Sequence, residues 1–112
     1  NALVMARNPL PPAEGLAGKA VITFSHYLPR PDALPAFVDP DRYWLLPVLG
    51  CHGLEQHIRR WKSQCHVFGH SHLNARRLLD GIVYINNAFG YPSETKHVRK
   101  RLLPLPLDGR EA

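Results

Sequence analysis

Cysteine is scarce in this chain: Cys51 and Cys65 are the only two among 112 residues. Their spacing matches no compact zinc finger, even with His52 and His66 beside them. Two cysteines without a secretory leader point to reduced thiols rather than a disulfide scaffold. No apolar run approaches the roughly 20 residues of a membrane-spanning helix. No basic start, apolar core and small-residue cleavage site opens the chain either. Together these absences make a cytoplasmic protein without a membrane span the expectation. Internal repeats are lacking too. The opening Asn1-Ala2-Leu3-Val4-Met5 reads as the continuation of something longer, so the chain is expected to be a piece of a larger protein.

Acidic residues are also few, with 9 Asp and Glu against 14 Lys and Arg and a formal charge of +5. That balance suits an anionic partner. Much of it comes from one tract, Lys96-His97-Val98-Arg99-Lys100-Arg101. No aromatic interleaving or nucleic-acid-binding motif accompanies the tract, so a nucleic-acid partner is not expected. What is present in ordinary measure is apolar content, 45% of residues, enough for one modest domain with a core.

Residues 8–19 hold Pro9, Pro11, Pro12, Gly15 and Gly18, and residues 1–19 as a whole read as loop or linker. Ala20-Val21-Ile22-Thr23-Phe24 is a short β-branched run, expected as a buried strand. It ends at Ser25-His26-Tyr27-Leu28-Pro29. Pro31, Pro35, Pro40 and Pro47 then prevent a long helix, which leaves 29–50 as an irregular connection. Leu54, Ile58 and Trp61 mark one face of a helix over about 54–64. A strand through Cys65-His66-Val67-Phe68 follows. Asp80-Gly81, flanked by Arg76–Leu79 and Ile82–Ile85, is a strong hairpin signal. Residues 20–92 are therefore the structured core, and 93–112 a basic, Pro-containing tail. The order is that of an α/β fold with too few strands to close its own sheets.

Gly69-His70-Ser71-His72 follows the strand at 65–68. Side chains two apart on an extended segment share a face, about 6.5–7 Å apart along the backbone. Imidazoles so placed can serve two metal ions about 3.5–4 Å apart. Gly69 is expected where the chain bends closely round an ion. His26 occupies the same kind of position after the strand at 20–24, and ligands in α/β sheets gather at the carboxyl ends of strands. A strand-end histidine is also a common surface residue, and that reading stands beside the metal reading for each of the three. His66 shares a face with Phe68 and is expected to pack, His57 to sit at a boundary, and His97 to belong to the basic tract.

The segments Val21–Pro29 and Val67–His72 resemble the last two motifs of calcineurin-like metallophosphoesterases. The resemblance implies a two-sheet sandwich flanked by helices, of which this chain would be the C-terminal part. It implies two divalent or trivalent metal ions (Mn, Fe or Zn) and metal-assisted hydrolysis of a phosphate ester. By the same resemblance His26 and His70 would ligand one ion and His72 the other. His52, between Gly50 and Gly53, would approach substrate. Asn86 and Asn87, at the end of the next strand, would hydrogen-bond a metal ligand from behind or simply form a turn.

The family's acidic motifs, Asp-x-His, Gly-Asp-x-x-Asp and Gly-Asn-His-Glu/Asp, are missing: none of the 9 carboxylates stands in such a context. Neutral imidazoles do not offset the repulsion of two closely spaced cations, so a bridging anion is needed. The chain alone is thus expected to be a half-site with little hydrolysis, completed by a missing N-terminal half. The rival expectation is a non-catalytic protein-binding module on the same fold.

Overall fold

A computed structural model describes residues 2–7, 12–38, 50, 52–96 and 98–105. Four short strands organise it: β1 (Ile22–Phe24), β2 (Cys65–Phe68), β3 (Ala75–Leu79) and β4 (Ile82–Asn86). They form one sheet in the order β1-β2-β4-β3, in which β1, β2 and β4 run parallel and β3 is antiparallel to β4. The chain is a small α/β domain with a mixed sheet.

The hairpin forms where Asp-Gly demanded it. Asp80 and Gly81 have φ of 48° and 83°, the positive pair that a tight two-residue turn requires. Leu79 then faces Ile82 and Arg77 faces Tyr84. The parallel pairs need a crossover, and β1 reaches β2 through a 3-10 turn (Pro31–Ala33) and a helix.

Two helices differ from the sequence expectation. α1 (Ala2–Arg7) occupies the start of a segment expected as loop. Its residues are mostly good helix formers, and the breakers begin only at Pro9. α2 (His52–Arg60) starts earlier and stops sooner than the expected 54–64. Lys62 turns left-handed at φ 53°, while its N–H bonds the Arg59 carbonyl and that of Ser63 bonds the Ile58 carbonyl. This is a Schellman cap, which ends the helix before Trp61 can complete the stripe. Among the described residues no helix is long and apolar enough to cross a membrane.

Ile58 of α2 packs with Leu28, Ala33, Leu34, Phe68, Ile82 and Tyr84 against one face of the sheet. On the opposite face, by register, lie Phe24, Val67 and Ile85 in one row and Leu78, Val83 and Cys65 in another. There Phe24 is 84% and Leu78 70% exposed, so this face is only partly covered. Cys65 is buried with a free thiol, and desolvation pushes that thiol above its usual range.

An ion-pair network closes the end of the sheet where β4 begins. Arg30 pairs with Asp32, Glu55 and Asp80, and Arg59 pairs with Glu55 at 2.8 Å and donates to the Asp80 carbonyl at 2.7 Å. The Arg30 guanidinium holds the Asp32 carboxyl below the usual range. Tyr84 donates its hydroxyl to Glu55 at 2.5 Å, and burial, with Glu55 beside it, pushes the phenol up to about 12. The crossover, α2 and the hairpin tip are thereby tied together, leaving the other end of the sheet to carry loops.

Candidate metal centre

Because β1, β2 and β4 are parallel, their carboxyl ends emerge on the same side. Three loops leave from there: Ser25–Tyr27, Gly69–Asn74, and the segment after Asn86. The β1–β2 pairing continues past the strands, with the Ser25 N–H on the Val67 carbonyl at 2.9 Å and the Gly69 N–H on the His26 carbonyl at 3.1 Å. Those two bonds set the first two loops side by side.

The consequence is a meeting of imidazoles. His26 Nε2 lies 3.0 Å from His70 Nδ1, with the rings edge to face. Tyr27 flanks both, at 5.0 Å between centroids in each case. Two nitrogens each about 2.1 Å from one ion stand about 3.0 Å apart at a right angle and about 3.4 Å apart at the tetrahedral angle. The observed gap fits adjacent corners of one coordination shell. It also fits a single N–H···N hydrogen bond, which holds the rings together without an ion.

The backbone at this point is strained. His70 and His72 have φ of 65° and 53°, the left-handed region that non-glycine residues seldom occupy. The Ser71 N–H bonds back to the Gly69 carbonyl at 2.8 Å, closing a γ-turn centred on His70. The expected role of Gly69 therefore changes. Its own φ is not positive, and a Cβ there would meet the His26 carbonyl at an ordinary 3.6 Å. The sharp bend is made by the histidines themselves.

His72 is not gathered with the other two. Its Nδ1 lies 2.9 Å from Glu94 Oε2, and its ring stands edge-on to Tyr91 at 5.1 Å. Glu94 also accepts the Tyr91 N–H at 2.6 Å, and that bond, followed by His72, holds its carboxyl below the usual range. Among the described residues no three His, Cys, Asp or Glu side chains converge on one point.

Asn86, 2% exposed, donates to Ser71 Oγ at 3.0 Å and the Gly69 carbonyl at 3.4 Å, while its own carbonyl accepts the Ala88 N–H. It braces the histidine loop from behind, touching the loop rather than an imidazole. Asn87 turns away, accepting from Asn74 and donating to the Arg101 carbonyl. The side chain of His52 lies outside the described residues, as do His97 and Cys51.

His66 packs as expected, and its partners are hydroxyls. Nδ1 is 2.8 Å from Thr23 Oγ1 and Nε2 is 3.0 Å from Ser25 Oγ. Thr23 donates to Ser63, and Ser63 donates to the Cys65 carbonyl. Ser25 donates in turn to the Tyr27 carbonyl at 2.6 Å. Burial pushes the His66 imidazole down to about 4.

Sequence reasoning overlooked Glu94 and the hydroxyl partners of His66. In the sequence Glu94 is simply an acidic residue outside the family motifs. The hydroxyl signal existed in principle, since Thr23 and His66 are register neighbours. Compared with known proteins, the chain matches no family model, no curated protein and no solved structure.

Proposed function

We propose that this chain supplies the histidine side of a dinuclear metal site in a phosphoesterase of the calcineurin-like kind. The observation that carries the reading is the 3.0 Å approach of His26 Nε2 to His70 Nδ1 across two strand-end loops, with His70 held in a left-handed γ-turn. Strain of this sort persists where surrounding structure enforces it, and it concentrates at functional sites. His26 and His70 would hold one ion (Mn, Fe or Zn) and His72 Nε2 the other. Bound ions would supply a nucleophile from water at neutral pH and stabilise charge on the phosphoryl oxygens. Asn86 keeps the Gly69–Ser71 loop in place, and Tyr27 walls the paired imidazoles. Arg76, Arg99 and Arg101 line a neighbouring cavity of about 510 Å³ beside Asn86, a wall suited to an anionic substrate.

The bridging carboxylate and a second sheet would come from a part of the protein beyond this chain. The exposed Phe24 and Leu78 support that arrangement, because a packed sandwich would cover them.

Calorimetric titration of the full chain with Mn²⁺ and Zn²⁺ tests the reading. Uptake is expected in the wild type and should weaken by about tenfold or more in His26→Ala and in His70→Ala, both remaining folded. Aryl phosphate hydrolysis is expected only once the acidic partner segment is present. Equal metal uptake by the wild type and both variants, or none by any, overturns the assignment and leaves a non-catalytic protein-binding module as the reading to pursue.

A further inference from the structure

The third strand-end loop contains a construction that the metal reading does not by itself require. After β4 the chain turns at Phe89-Gly90-Tyr91-Pro92 and returns at Glu94. The carboxylate of Glu94 is placed by the Tyr91 N–H at 2.6 Å. Gly90 sits at φ 65°, a conformation that favours glycine, and a Cβ there would push the Glu94 carboxylate out of its present place. Lys100 secures the same turn, its ammonium donating to the Phe89 carbonyl at 2.7 Å and the Tyr91 carbonyl at 2.8 Å. Tyr91 presents its ring edge-on to His72. Everything in the turn converges on the contact between Glu94 Oε2 and His72 Nδ1, 2.9 Å long.

We propose that Glu94 is a positioning residue that holds His72 in its Nδ1–H form and so presents Nε2 as the metal-binding nitrogen. The inference rests on the metal reading given above. A carboxylate can only accept, so neutral His72 must place its proton on Nδ1 to satisfy this contact. The lone pair then lies on Nε2, on the side of the ring away from Glu94. Carboxylates behind metal-binding imidazoles act in this way, orienting the ring and raising its basicity. Glu94 touches the ligand and not the reacting atoms.

Nitrogen-15 NMR of the metal-free full chain, above the pH range in which imidazoles titrate, reads the tautomer directly. His72 is expected as the Nδ1–H form in the wild type and in Glu94→Gln, whose amide carbonyl still accepts. In Glu94→Ala it should revert to the Nε2–H form that a free imidazole side chain prefers. Zn²⁺ affinity should fall by about 10- to 100-fold in Glu94→Ala and only a few-fold in Glu94→Gln. A His72 tautomer that ignores residue 94 overturns the proposal. So does a Glu94→Gln that loses Zn²⁺ as completely as Glu94→Ala while keeping the Nδ1–H form, because Glu94 would then be a direct ligand. If the wild type takes up no metal but the tautomer still follows residue 94, the metal reading fails and the positioning contact stands.

Discussion

His66 and His70 stand four residues apart, one inside β2 and one just past its end, and they are treated in opposite ways. His66 is 1% exposed, and each ring nitrogen meets a hydroxyl, one from Thr23 and one from Ser25. His70 lies in a strained turn, and its ring meets the rings of His26 and Tyr27. Register decides the difference. Parallel pairing brings Thr23 beside His66, whereas the loop beyond the strand brings another imidazole to His70. A buried histidine whose nitrogens are satisfied serves folding; one aimed at a second imidazole is a candidate ligand.

The largest test of this contrast is stability. His66→Ala removes a buried ring together with its contacts to the hydroxyls of Thr23 and Ser25, so it should cost about 3 kcal/mol in urea unfolding. If the loss is under about 0.5 kcal/mol, within the range of a surface substitution, the contrast fails.

Acid should act on the same residue with a comparable ceiling. Burial lowers the folded His66 value to about 4 from an ordinary 6.5. As pH falls below 6.5 the unfolded chain takes up a proton before the folded one does. Stability from neutral His66 is therefore complete above that point and lost as pH drops toward 4, by up to roughly 3 kcal/mol. His66→Gln should flatten this part of the stability–pH curve. Identical curves for both proteins would show that His66 does not drive it.

The same contrast marks how far sequence reading reaches. The hairpin was legible because Asp80-Gly81 carries its turn chemistry locally, and β1 and β4 were legible from β-branched runs. His26 and His70 were legible as strand-end residues, and parallel pairing is what brings them together. Glu94 was not legible, since it meets His72 across 22 residues through a turn that Gly90 and Lys100 build. The end of α2 was missed because Lys62 takes a left-handed cap where glycine is the usual signal.

The smallest expected effect separates folding from function most cleanly. His70 sits at φ 65°, where an L-residue is strained and glycine is not. His70→Gly relieves that strain and gives up an imidazole contact on a partly exposed ring. The two changes oppose each other, and a neutral to slightly stabilising outcome, within about 1 kcal/mol, is expected from urea unfolding. Metal uptake in the same variant should be largely lost. A residue that costs stability where it stands, and whose removal leaves the fold intact, is one kept for its chemistry. If His70→Gly instead unfolds the chain by several kcal/mol, then the γ-turn is a structural element like His66, and the difference between the two histidines disappears.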